Sequence, residues 1–228
     1  MNRLPETLPH GVSISDAIFH EISARIRSLD LAPGTKLSEA DVARQFGVSR
    51  QPVRDAFHHL STLGFLVIRP QRATEVSLIS PSTILAARFL RTSAEVEMVR
   101  RATTLITEKG LKRLERLVER QREAVTRADT GTFKTLDDRF HLGICEACGL
   151  GDVWTRIAEN KAHTDRLRLL SIRDSSADAL RDHELILDAL RQRDAEAATA
   201  RMREHLDRIK GVLDDLRRTQ HQWFSDER

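Results

Sequence analysis

The chain has 228 residues, a formal charge of +3 and a hydrophobic fraction of 40%, room for one large domain or two small ones. A charge this close to balance excludes a polycation, so any basic surface must be local. No apolar run is long enough to span a bilayer, the N-terminal MNRLPETLPHGV lacks the apolar core of a secretory signal, and two cysteines, Cys145 and Cys148, make no disulfide framework; the expectation is a soluble cytoplasmic protein with no membrane partner.

Apolar residues recur with a period near 3.6 along most of the chain, which predicts helices. A first helix over 12–29 carries Ile14, Ile18, Ile22 and Ile26 on one stripe. LAPGTKL reads as a turn. SEADVARQF reads as a second helix, with Ser38 as cap and the acids Glu39 and Asp41 at the positive end of its dipole. Gly47 ends it. Ser49 then caps a third helix, with Pro52 in the first turn, where a missing N–H costs little. FLVIRPQRATEVSLI, residues 65–79, reads as two short strands around a turn at Pro70 to Ala73.

A helix-turn-helix needs a small residue where its helices touch, a glycine in the turn and an apolar residue on the inner face of the second helix. Ala43, Gly47 and Val53 meet those needs, and the hairpin adds a wing. Arg50 and Arg54 stand on the third helix opposite Val53, Phe57 and Leu60. In such motifs the start of this helix enters the DNA major groove, where arginine contacts guanine in bidentate fashion or holds phosphate. Ser49 and Gln51 lie beside them, and Arg44, Arg69 and Arg72 are placed to flank the groove. Between residues 44 and 72 there are five arginines and one acid, Asp55, a local basic patch on a nearly neutral protein. His58 and His59 read as ordinary surface or packing residues.

SPST at 80–83 looks like a helix start, with Ser80 or Ser82 as cap. The domains are therefore placed at 1–79 and 80–228. The second reads as six helices, over 82–108, 110–128, 131–148, 151–171, 175–192 and 195–217, broken near Gly110, Gly131, Gly149 to Gly151, Asp174 and Asp194. Short loops make this an antiparallel all-α bundle.

Several polar side chains fall on its apolar stripes. Asp137, Phe140, His141 and Ile144 are spaced i, i+3, i+4 and i+7; His183 lines up with Ile186, Leu187 and Leu190, and His205 with Met202, Leu206 and Ile209. Burying such groups without partners is costly. His183 and His205 each lie eleven residues from Asp194. Antiparallel helices rise equally from a shared turn, at about 1.5 Å per residue, so the two imidazoles reach the same height. With Asp137 and His141 they would make a site of three nitrogens and one oxygen for a divalent metal inside a helical bundle. For any one of these histidines alone, a bond to a backbone carbonyl or a water is the plainer reading. CEAC has the spacing of a zinc or redox motif, but it has no second cysteine pair and sits within a helix, so it reads as structural.

The stretch LAPGTKLSEADVARQFGVSRQPVRDAFHHLSTLGFLVIRP resembles the GntR family of bacterial transcription regulators. Its departures are Val42 and Phe57, where that family has leucine, and Ala73, where its wing has glycine. The resemblance implies operator contacts by Ser49, Arg50, Gln51 and Arg54. The C-terminal half resembles the all-helical FCD effector domain of the FadR subfamily, whose signatures match Arg91 with Glu95, Asp137 with His141, His183 and His205. In EACGL, residues 146–150, Cys148 and Leu150 replace a usual serine and asparagine. The resemblance implies zinc, nickel or manganese at the four ligand positions and a small organic or sugar acid as effector. Arg91 would grip the effector's carboxylate, with Glu95 orienting the arginine. Asn160 and Arg166, on the fourth effector helix, are further pocket candidates.

One aspartate offsets only part of a divalent charge, which favours an anionic effector. Four protein ligands would close a tetrahedral zinc site and make it structural; a higher coordination number leaves room for a ligand. A purely structural metal is therefore the first alternative to an effector-binding repressor. A metal-dependent enzyme is the remote one, since no separate general base is apparent. One winged helix contacts few bases, so a homodimer reading a short palindrome is expected.

Overall fold

The computed structural model describes residues 13–70 and 72–225. The N-terminal stretch read for a signal and Gln71 in the wing turn lie outside the described residues. The fold is mainly helical, and the chain divides into two compact units, 1–81 with 217–228, and 82–216.

The first unit is a winged helix-turn-helix. Helix α1 (Ile14–Arg27) opens with a capping box: Ser13 accepts from the Asp16 amide while the Asp16 carboxylate accepts from the Ser13 amide. Ile18, Ile22 and Ile26 are buried, but Ile14, expected on the same stripe, is 44% exposed, because it starts the helix beyond the reach of the core. Strand β1 (Lys36–Leu37) corrects the reading of LAPGTKL as turn alone. It pairs with β3 (Thr74–Val76), which also pairs with β2 (Leu66–Val67), so the sheet order is β1-β3-β2. Helix α2 (Glu39–Phe46) is capped by the Ser38 hydroxyl, which accepts from the Asp41 amide. It ends at Gly47, whose φ of +69° suits glycine. Helix α3 (Arg50–Thr62) buries Val53, Ala56, Phe57 and Leu60 completely. Ser49 sits at its N-cap in extended backbone, yet its side chain makes no cap hydrogen bond. The chain's end belongs to this unit too. After a 3-10 turn at His221–Trp223, the Ile79 amide donates to the Trp223 carbonyl at 2.8 Å and the Ser225 amide to the Ile79 carbonyl at 3.0 Å, with Phe224 buried.

The second unit is an all-α bundle of α4 (Pro81–Leu105), α5 (Glu108–Thr126), α6 (Thr130–Ala147), α7 (Val153–Gln192) and α8 (Ala195–Thr219). Proline opens α4, leaving Ser80 as the residue before it. The helix starts are set by side-chain caps rather than by Gly110 and Gly131: Thr107 accepts from the Gly110 amide, and Asp129 from the Thr132 amide. No break occurs near Asp174. Instead α7 runs unbroken for 40 residues, because Ser and Asp there lower helix propensity only modestly, and no glycine or proline interrupts the hydrogen-bond ladder. The turn at Asp194 is present: Arg193 adopts φ +57°, and the Asp194 carboxylate caps α8 through the Ala197 amide at 2.9 Å. Leu111, Leu114 and Val118 of α5, Phe133, Leu136 and Phe140 of α6, Ile186 and Leu190 of α7, and Met202 of α8 fill the core. The α5–α6 approach is close enough that a Cβ on Gly143 would lie 2.7 Å from the Leu114 side chain.

Candidate metal centre and nucleic-acid interface

The i, i+4 spacing on α6 puts Asp137 and His141 one turn apart on the buried face; His183 joins them from α7 and His205 from α8. All four are buried, and each offers a ligand atom within 4.8 Å of the others. The imidazole centroids are 5.3 Å apart for His141 and His183, 5.2 Å for His141 and His205, and 4.7 Å for His183 and His205. Tetrahedral ligands about 2.1 Å from an ion are about 3.4 Å from one another; Asp137 Oδ1 and His183 Nε2 are 3.6 Å apart.

Each imidazole has an oxygen facing its other nitrogen, hydrogen-bonded for His183 and His205 and at ion-pair distance without hydrogen-bond alignment for His141. His141 Nδ1 lies 2.6 Å from Glu95 Oε2, His183 Nδ1 2.8 Å from Gln121 Oε1, and His205 Nδ1 3.2 Å from Asp182 Oδ2. An acceptor at Nδ1 places the proton there and leaves Nε2 a bare donor atom, the tautomer that metals take. Nε2 of His141 and of His183 has no hydrogen-bond partner. A buried nitrogen left unpaired is costly, and a cation held by both would remove that cost. The donor set, three imidazoles and a carboxylate, suits zinc, nickel or manganese.

The electrostatics keep the site ready for a cation. Burial and the neighbouring His205 hold His183 well below the usual histidine range, and burial lowers His205 to about 4. Burial alone would raise the Asp137 carboxyl, but Arg168, His141 and His183 outweigh it and hold it well below the usual range. Glu95 is likewise held low, with Arg91 and His141 overcoming its burial.

Arg91 is buried on α4, where its Nε donates to Glu95 Oε1 at 2.6 Å. It lines a cleft of about 560 Å³, solvent-filled mouth included, together with Arg88, Arg168, Arg208, Thr164 and His205. Glu95 thus does two tasks: it holds Arg91, as expected, and it holds His141, which was not foreseen. Asn160 is not brought to this cleft; it is exposed on α7 and donates to the Arg156 carbonyl. Arg166 is buried, with burial lowering its guanidinium to about 10, but it does not line the cleft. Sequence reasoning missed Gln121, Asp182 and Arg168. Gln121 carried a signal, since it follows Leu114, Leu117 and Val118 at the spacing that singled out the histidines. Arg168 carried none: its guanidinium reaches both oxygens of Asp137, at 3.0 and 2.9 Å, from another helix.

At the other candidate site, Arg44, Ser49, Arg50, Gln51, Arg54, Arg69 and Arg72 are all exposed. The patch is less positive than its arginines suggest. Arg44 pairs with Asp41 at 2.9 Å and Arg54 with Glu39 at 3.2 Å, while Gln51 donates to Asp55. Arg50, Arg69 and Arg72 form no ion pair among the described residues.

Comparison with known proteins follows the same division. Residues 14–76 match the gntR family of bacterial regulatory proteins, and residues 88–208 match the FCD domain. The chain is 38% identical over 199 residues to the HTH-type transcriptional repressor RspR of Escherichia coli (strain K12), covering 86% of this chain and 87% of that one. It is 24% identical over 209 residues to the gluconate operon transcriptional repressor of Bacillus subtilis (strain 168), covering 87% and 84%. Among solved structures, E. coli McbR/YncC superposes with a TM-score of 0.72 at 21% identity, over 90% of this chain and 98% of that one, which speaks for the fold. These relatives are transcription regulators and not enzymes, and among the described residues no helix is long and apolar enough to cross a membrane. The chain belongs to the GntR family of DNA-binding transcription regulators and carries an FCD domain behind its winged helix-turn-helix.

Proposed function

We propose that the protein is a cytoplasmic repressor that binds a short palindromic operator as a homodimer, and that a small organic or sugar acid sets its operator affinity from a divalent metal held by Asp137, His141, His183 and His205. The observation that carries this reading is the buried meeting of four potential ligands, with Nε2 of His141 and His183 unpartnered. The metal, zinc by donor set with nickel or manganese as alternatives, would supply positive charge for a carboxylate. Arg91, in the cleft that His205 also lines, would grip that carboxylate, with Glu95 steadying it. At the DNA, Ser49, Arg50 and Gln51 at the start of α3 would face base edges. Arg54 and Arg44 would exchange Glu39 and Asp41 for phosphates, with Arg69 and Arg72 on the wing. The effector's differential affinity for two states of the dimer would shift operator binding.

The test uses an operator fragment obtained by in vitro selection and a panel of small organic and sugar acids. Arg91→Ala is expected to remove the response to an active acid and to spare DNA binding; an unchanged response places the carboxylate elsewhere. Four protein ligands also suit a purely structural metal. That version predicts that chelation unfolds the second unit and that no acid alters operator binding.

A further inference from the structure

The acids around the metal candidates are already matched. Arg168 pairs with Asp137, Arg91 with Glu95, and Arg208 with Asp182. A divalent ion entering this buried cluster therefore brings two charges with no counter-charge waiting. Uncompensated buried charge is strongly unfavourable, so cation binding there calls for an anion.

Of these arginines, Arg168 is the one whose partner the cation would claim. Arg91 keeps Glu95, and Arg208 keeps Asp182. Asp137 alone is both a ligand candidate and an arginine partner. The Arg168 side chain is 23% exposed, against 2% for Asp137. It lines the cleft containing Arg91 and His205, and also a second cleft lined by Lys134, Lys161, Asp165 and Ser176. A guanidinium that shares the carboxylate weakens it as a metal donor, and its charge repels the cation.

We propose that Arg168 couples the cation to the anion. It holds Asp137 in the metal-free protein, opposes the metal while it does so, and turns its guanidinium to the carboxylate of the incoming acid. Metal and small carboxylate then bind cooperatively, each tightening the other by the same factor. This rests on the metal reading above and adds the residue through which metal and ligand communicate.

The test is zinc affinity, measured by competition with a chromophoric chelator on the full-length protein after metal stripping, with and without sodium formate as the simplest carboxylate. Arg168→Gln is expected to bind zinc roughly 5-fold or more tightly than wild type without formate. Formate is expected to tighten zinc in wild type and to tighten it less in the variant, where only the metal and Arg91 remain to hold the carboxylate. A variant that binds zinc equally or more weakly, or that keeps the full wild-type formate response, overturns the role of Arg168 and leaves the metal reading standing. If neither protein binds zinc, both readings fall together. Should Arg168→Gln fail to fold, Arg168→Lys, which keeps a cation without the two-pronged geometry, must show tighter zinc and a reduced formate response; wild-type behaviour in both readouts overturns the proposal.

Discussion

Glu95→Gln probes how far the candidate centre depends on its supporting shell. The carboxylate is 3% exposed and lies 2.6 Å from both Arg91 Nε and His141 Nδ1. Glutamine keeps the shape and one acceptor, enough for Arg91. Its amide NH2 then faces His141 Nδ1, and a donor there pushes the imidazole proton onto Nε2, the nitrogen meant for the metal. Loss of such an outer partner costs roughly 10–100-fold in metal affinity, or about 1.4–2.7 kcal/mol. The substitution also leaves the Arg91 guanidinium buried without a counter-charge, which puts the stability loss toward the lower end of roughly 3–5 kcal/mol, since one hydrogen bond survives. Chelator competition reads the first number, and urea unfolding in the presence of chelator the second. Unchanged zinc affinity in a folded variant would refute the claim that Glu95 sets the tautomer of His141.

Acid should destabilise the metal-free protein before its carboxylates titrate. Because burial lowers His205 from 6.5 to about 4, the unfolded chain takes up a proton between those values that the folded one refuses. Stability therefore rises with pH across that window, by on the order of 3 kcal/mol; urea midpoints that are flat or fall from pH 4.5 to 6.5 would contradict this. Arg50→Ala should weaken specific operator binding by roughly 1–3 kcal/mol if it reads a base, and an unchanged shift assay would remove it from the interface. Phe57→Ala, at a fully buried position on α3, should cost the first unit about 3–5 kcal/mol; denaturant unfolding followed in that unit would show a loss below 1 kcal/mol if the core closes differently.

Periodicity made the two cores legible. Val53, Phe57 and Leu60 were placed together by spacing, and all are fully buried. The same rule drew attention to Asp137, His141, His183 and His205, because a polar side chain on an apolar stripe must find a partner. Equal distance from Asp194 sufficed to level His183 with His205. What stayed hidden depends on contacts between distant parts of the chain or on elements too short to show a period. Strand β1 has two residues and no alternation to detect. The Ser- and Asp-rich stretch in α7 looked like a break, yet nothing in it blocks a helical hydrogen bond. Gln121 sits on a helix that was drawn nearly correctly and Asp182 on the second half of one that was drawn as two, but their roles arise from what faces them. The return of Phe224 to Ile79 likewise joins residues with no shared local pattern.

The most direct test of the metal centre is its stoichiometry. Protein stripped with chelator, reloaded with zinc, desalted and measured by elemental analysis should hold one ion per chain. His183→Ala combined with His205→Ala should hold none while keeping its far-ultraviolet dichroism. Stoichiometric zinc in the double variant, or none in the wild type, would contradict the account.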